Sequence, residues 1–458
     1  MKTSSLDDVH EQLKAKTSKS YQYSLEAQSY MPGGVTANIK YFDPYPIVMQ
    51  RGSGAYLFDI DGNEYIDYLL SYGSLMLGHG HPKVQKALAD QMQVNGTHLF
   101  GTPHQLELEM AKKLQALYPS MEKLRYTNSG TEATLLSIRL AYAYTGKYKI
   151  AKFEGHYHGG YDQMLISVNP KVDQAGPDSK PNALIESKGV DPYHQTHTIV
   201  LPFNNLEATA EILTKHKDEI AAVILEPAQS GFIPATQEFM TGLRKITEDL
   251  NIVLIFDEVK TGFRLGLGGA QSVYHISPDL TTLGKVVGGG FPVGMVGGKA
   301  EIMMTCAPST FSDVFDHSTG KNSSAKDVLF HSGTYNGHPS ILAAGIATID
   351  VLQNEISEVM ARTHRLKQEL TSLFERKGLT MQTIGLGSIF NIVFTDKEVW
   401  NYRDLQQANF VLRKRLDLLL LINGLYTKPM NRFSLSTAHT DLEINRTLEI
   451  FEKALQDL

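Results

Sequence analysis

Chemistry is most readily built from a lysine and an aspartate in the middle of the chain. Lys285 stands in TLGKVVGGGFPVG, where a short apolar run ends and a cluster of glycines, Gly288, Gly289 and Gly290, follows. A lysine held in a low-dielectric pocket gives up its proton more easily and becomes a nucleophile able to form a Schiff base. Glycines beside it let a ligand or another stretch of backbone come close. Asp257 stands in IVLIFDEVKTGFR, at the end of the apolar run 252–256. A carboxylate at the edge of a dry core calls for a cationic partner, and a protonated heteroaromatic nitrogen is one such cation. In YTNSGTEATLLSIRL, residues Ser129, Gly130 and Thr131 open a long helical pattern. The unpaired N–H groups and positive dipole end of a helix bind phosphate, and the two hydroxyls add donors. Ser129 with Glu132 also makes a capping box, which by itself accounts for those two residues.

Three further groups are weaker. In FEGHYHGGYD, Tyr157 precedes His158 and two glycines and could stack on a flat ring. His156 and His158, with Asp162, suggest a metal site, but zinc needs three or four ligands with a recognisable second pair. None is present, so no metal is expected. Thr334, between Gly333 and Tyr335 in HSGTYNGHPS, is a hydroxyl beside a glycine and another candidate phosphate donor.

The elements that must position these groups follow from the hydrophobic pattern. The segment 54–70, GAYLFDIDGNEYIDYLL, alternates apolar and polar residues around Asp61-Gly62 and predicts a hairpin. From about residue 78 to 335, helical stretches alternate with YKIAKF, HTIVLPF, AAVILE and IVLIF. Such runs are strands buried on both faces of a mostly parallel sheet. After Pro339 the pattern predicts a long helix, a second helix over 356–377, a strand pair containing GSIFNIVF and two more helices. The last opens with a capping box at Thr440–Glu443. This gives an α/β protein with a large domain over 76–334 and a smaller α+β domain built from both chain ends, 1–75 with 335–458. The polar stretches 170–198 and 306–332 are long for loops and read as covers of the active site.

Composition limits the function. The 458 residues are 42% apolar and 20% charged, with 19 Phe and 21 Tyr, which excludes general disorder. Forty-three basic against 49 acidic residues give a net charge of −6, the opposite of a nucleic-acid binder. The one cysteine, Cys306, makes an internal disulfide impossible. No apolar run is long enough to span a bilayer, and no targeting segment is visible. The default expectation is the cytoplasm.

In this order, MPGGV, GAYLFDIDGNEYIDY, LGHGHP, NSGTEA, YHG, DEVKTGFR, TLGKVVGGGFPVG and GTYNGHP resemble the class-III pyridoxal 5′-phosphate (PLP)-dependent aminotransferases. The likeness runs from Met31 to Thr440, and is greatest to the branch that contains glutamate-1-semialdehyde 2,1-aminomutase. The resemblance implies fold type I and roles at matching positions. Lys285 would carry PLP and act as catalytic base, and Asp257 would keep the pyridine nitrogen protonated. Val259 would pack behind the ring and Tyr157 in front. Ser129, Gly130 and Thr131 would hold the phosphate, and Thr334 would reach the phosphate of the neighbouring subunit. It therefore also implies a homodimer with shared sites, moving an amino group from a small-molecule donor to a carbonyl acceptor in two half-reactions.

Departures from the aminomutase pattern fall where substrate would be recognised. Where that pattern is close to PGGVNSPVRAF, this chain reads PGGVTANIKYF, placing Ala37 for serine and Lys40 for arginine. Lysine cannot reproduce a bidentate fork to a carboxylate. The C-terminal PMNRFSLSTAH carries Arg432 and lacks the glutamate of the aminomutase loop. On these grounds the sequence favours a two-substrate aminotransferase over the aminomutase. An aminotransferase for a β-keto acyl chain on a carrier protein is a further alternative. Lys40, Lys428 and Arg432 are the cations available for substrate.

Overall fold

The computed structural model describes residues 6–308 and 328–458. The chain forms two compact units, Met1–Pro82 with Val351–Glu398 and Gln407–Leu458, and Lys83–Asp350 with Val399–Gln406.

The second unit is built on a seven-stranded sheet. Its strand order is Lys123–Thr127, Gly294–Gly298, Leu280–Gly284, Val253–Asp257, Ile220–Leu225, Lys149–Phe153 and Thr198–Leu201. Gly294–Gly298 runs antiparallel to both neighbours, and every other pairing is parallel. The central strands are buried at every position, which is why they read as unbroken apolar runs rather than as alternation. All four runs singled out above are strands of this sheet. Because they are parallel, their carboxyl ends share one edge, where ligands sit in open α/β folds. Asp257 ends one strand, Glu226 and Lys285 each follow another, and Asn128 follows a fourth.

In the first unit, Tyr56–Asp59 and Glu64–Asp67 form the expected hairpin, with Gly62 at φ 92° in its turn. Asp59 Oδ1 accepts from the N–H groups of Asp61 (3.0 Å) and Asn63 (2.7 Å), so the turn is held by a side chain. The helix Leu6–Lys16 packs on Phe410–Ile422, and Lys16 Nζ donates to the Ile422 carbonyl at 2.5 Å. The last helix, Asp441–Ala454, has its capping box formed by Thr440 and Glu443.

Three expectations change. The helix after Pro339 does not end before residue 356 but continues to Arg376 as one element of 38 residues. The segment holds no proline after Pro339, and its glycine, Gly345, marks close packing, since a Cβ there would lie 2.2 Å from the Val287 carbonyl oxygen. This helix carries the division between units from 335 to 350, and the division near the N-terminus falls after Pro82 rather than at 75. The stretch 170–198 is folded and pinned: Ser167 Oγ donates to Asn182 O (2.9 Å) and Tyr402 Oη to Pro170 O (2.9 Å). Arg403 spans Glu154 with two hydrogen bonds (2.7 and 3.0 Å) and donates to Gly176 O (2.7 Å). Of the other expected cover, residues 309–327 lie outside the described residues.

Candidate active site

Three sequence-distant pieces meet at Val259. A Cβ built on Gly130, the first residue of the helix Gly130–Thr145, would lie 2.7 Å from Val259 Cγ1. A Cβ on Gly284, the residue before Lys285, would lie 3.2 Å from the same atom and 3.6 Å from the Gly130 Cα. The helix start, Val259 and the strand end that carries Lys285 therefore pack directly on one another, and only glycine permits this at Gly130. Lys285 is partly exposed and has φ 50°, a left-handed backbone that strains any residue with a Cβ.

Asp257 is 4% exposed. Its Oδ2 accepts from His158 Nδ1 at 2.7 Å; a carboxylate can only accept, so this nitrogen carries the proton. Oδ1 accepts from the Val259 N–H (3.1 Å) and from Thr282 Oγ1 (3.2 Å). Burial alone would push its pKa up, but the His158 hydrogen bond and charge, with the Val259 N–H, outweigh it and hold the carboxyl below its ordinary value. It is a buried anion with acceptor capacity left on Oδ2.

At the helix start, Ser129 Oγ accepts from the Glu132 N–H at 3.1 Å, as in a capping box. The other half does not form: Glu132 Oε2 takes the Asn128 N–H (2.5 Å) instead of that of Ser129. Gly159, in the loop of Tyr157, approaches Thr131 so closely that a Cβ there would lie 3.1 Å from the Thr131 Cα. Thr134 Oγ1 fastens the same loop by donating to His158 O at 2.5 Å. Ser129, Gly130, Thr131, Tyr157, Asp257, Val259 and Lys285 thus belong to one neighbourhood. Thr334 is exposed, and its turn meets the same region through Asn336 Oδ1, which accepts from Asn128 Nδ2 at 3.0 Å.

Lys40, Lys428 and Arg432 lie in the first unit. Lys428 Nζ donates to Ile39 O, and Arg432 Nη2 donates to Tyr72 O at 3.1 Å. Lys40 is exposed.

Several groups went unread in the sequence. Glu226, 1% exposed, follows the strand Ile220–Leu225 just as Asp257 ends Val253–Asp257, so the same signal was present in AAVILE. Its Oε1 pairs with Lys260 Nζ, and Oε2 accepts from the Tyr157 N–H at 3.0 Å. His156 Nδ1 accepts from the Glu226 N–H (3.0 Å), and burial lowers its pKa well below the ordinary value, so the ring is neutral. Each histidine of the suspected metal pair thus has a protein partner, and no group of three metal-binding residues occurs among the described residues. Lys152 is fully buried and donates to the carbonyls of His156 (2.8 Å), Met164 (3.2 Å) and Ile166 (2.6 Å). Burial pulls its pKa down to about 7. A second lysine, set between Ala151 and Phe153 in the strand Lys149–Phe153, was the available sign.

A strand-end anion, a helix N-terminus lined by hydroxyls and a lysine after a strand, gathered at the carboxyl edge of one mostly parallel sheet, are the parts from which a PLP site of the fold type I kind would be built. The residues suit the cofactor: a buried carboxylate held ionised matches a protonated ring nitrogen, and an anion-binding helix start matches a phosphate. The class-III aminotransferase family matches residues 39–455, so the chain belongs to the class-III PLP-dependent aminotransferases. It is 41% identical over 443 residues to the glutamate-1-semialdehyde 2,1-aminomutase of Ignicoccus hospitalis, covering 94% of this chain and 97% of that one. Among solved structures it is similar to an ω-transaminase from Sphaerobacter thermophilus, with TM-score 0.88, 34% identity, and 96% and 97% of the two chains covered. A transaminase solved with PLP bound gives TM-score 0.82 and 32% identity over the same shares.

Proposed function

We propose that this enzyme is a glutamate-1-semialdehyde 2,1-aminomutase, moving an amino group between adjacent carbons of one substrate to give 5-aminolevulinate. The observation that carries the proposal is the 41% identity to a curated aminomutase across nearly the whole of both chains. It reverses the preference drawn from Ala37, Lys40 and the C-terminal loop. Those positions concern substrate recognition, and one lysine-for-arginine exchange keeps the charge while losing only the fork geometry.

PLP, when bound, supplies an electron sink for the charge left when a proton leaves the substrate carbon next to nitrogen. The chain's own residues would do the rest. Lys285 would hold the cofactor and, as general base, would carry that proton between the substrate carbon and the cofactor carbon on the other side of the same nitrogen. Asp257, oriented by His158, would keep the ring nitrogen protonated. The start of the helix Gly130–Thr145, with Ser129 and Thr131, would hold the phosphate, with Val259 and Tyr157 on the two sides of the ring. Thr334, exposed in its own chain, would serve the phosphate of a second subunit in a homodimer. Lys40, exposed, is the first candidate cation for the substrate carboxylate, before Lys428 and Arg432.

The second reading, a two-substrate aminotransferase, is favoured by the ω-transaminase as a structural relative. One assay separates the two. Purified enzyme is given glutamate-1-semialdehyde alone, and 5-aminolevulinate is measured. Many turnovers without a second substrate support the aminomutase. No 5-aminolevulinate, together with one equivalent of keto product from a separate amino donor, establishes the two-substrate enzyme.

A further inference from the structure

Lys260 stands inside DEVKTGFR, yet none of the roles above uses it. Its side chain is only 14% exposed. Nζ pairs with Glu226 Oε1, and the same ammonium lies over the Tyr157 ring, 5.4 Å from the centroid. Glu226 in turn grips the chain at His156 and at the amide of Tyr157. Its Oε2 accepts from the Tyr157 N–H at 3.0 Å, and its own N–H donates to the ring of His156 at 3.0 Å. Tyr157 remains 42% exposed while His156 and His158 beside it are buried. A carboxylate as deeply buried as Glu226 stays ionised only beside a cation. Burial pushes Glu226 upward, and Lys260 is the largest influence bringing it below its ordinary value.

We infer that Lys260 is a positioning residue for the cofactor ring. Through Glu226 it fixes the main chain at Tyr157, and its ammonium occupies one face of the Tyr157 ring, leaving the opposite face for the flat ring of PLP. The inference rests on the proposed contact between Tyr157 and PLP. An ammonium over an aromatic face holds ring and cation together most strongly where water is excluded, and Lys260 is largely withdrawn from water.

The test is a double-mutant cycle read as the dissociation constant of PLP, by titrating the apoenzyme. Lys260→Met is expected to weaken binding about tenfold in the native background and less than twofold in Tyr157→Ala. Lys260→Arg, which keeps the cation, is expected to restore most of the affinity. If Lys260→Met does not fold, Lys260→Met with Glu226→Gln removes the stranded buried charge and is expected to bind several-fold more weakly than native. Native affinity in either Lys260→Met protein overturns the inference. So does an equal loss in the native and Tyr157→Ala backgrounds, with the Tyr157 contact left standing. Unchanged affinity in Tyr157→Ala alone instead overturns the contact between Tyr157 and the cofactor.

Discussion

Gly130→Ala adds one methyl group where three elements converge, and the outcome can be worked from the packing. The new Cβ would meet Val259 Cγ1 at 2.7 Å and Cγ2 at 2.9 Å, whereas ordinary contact begins at 3.4 Å. The helix start or Val259 must therefore move by 0.7 Å, the difference between 3.4 and 2.7. Val259 cannot simply retreat toward the strand end, because Gly284 already lies against it. Overpacking of this kind costs about 1–3 kcal/mol. Alanine's better helix propensity, about 1 kcal/mol at an interior position, offsets part of it. Apoenzyme stability should thus fall by roughly 0–2 kcal/mol by that subtraction. PLP binding should suffer more, since the displaced N–H groups are those proposed for the phosphate, and a tenfold loss corresponds to about 1.4 kcal/mol. The assay is PLP titration of the apoenzyme beside its thermal unfolding. Val259→Ala, which opens the space, should recover affinity in the double variant, so that the two losses are far from additive. Native PLP affinity in Gly130→Ala, or strictly additive losses, would refute the convergence of these elements at the phosphate site.

Lys285→Ala should abolish the yellow, borohydride-reducible lysine–PLP linkage in a folded protein; its persistence would remove the lysine assignment. Because Lys285 has φ 50°, Lys285→Gly should leave the apoenzyme more stable than Lys285→Ala by about 1 kcal/mol, read by denaturant unfolding, and equal stabilities would contradict the strain. Asp257→Asn should retain PLP but lose about 10- to 1000-fold in turnover, since an adjacent anion raises a cation's pKa by about 1–3 units; near-native turnover would end its proposed role. Burial pushes the Glu258 carboxyl up to about 7, against hydrogen bonds from Ala270, Thr261 and Gln271. A raised carboxyl contributes stability that is fully present below the unfolded value, near 4.5, and is lost as pH rises through about 7. Glu258→Gln should therefore flatten the fall in stability between those pH values, measured by denaturant unfolding, and an unchanged slope would count against the assignment.

What was legible in the sequence was whatever has a short-range signature. The strands of the large sheet showed as apolar runs, the hairpin as alternation about Asp61-Gly62, and the last helix as its capping box. Asp257 and Lys285 were found because each combines a strand end with an incongruous polar residue. Partnerships between distant segments left no such trace. The pairing of His158 with Asp257 joins residues 99 apart in sequence, and that of Lys260 with Glu226 joins residues 34 apart. Such pairs depend on strand order, which no local spacing encodes. The single long helix was read as two, with the second beginning at 356, although nothing in 340–376 breaks it: the segment holds no proline after Pro339, and Gly345 is small because the Val287 carbonyl passes beside it.

The division of the chain also sets a schedule for its making. The first unit draws on residues from both ends, and its leading helix, Leu6–Lys16, packs on Phe410–Ile422. At a synthesis rate of about 5–20 residues per second, those first residues wait on the order of 20–80 s for their partner to emerge. The sheet that carries Lys285 has all its strands by residue 298, and its unit is complete at Asp350 except for the eight residues Val399–Gln406. On the ribosome, the unit that carries Lys285 can be assembled before the helix Leu6–Lys16 meets Phe410–Ile422.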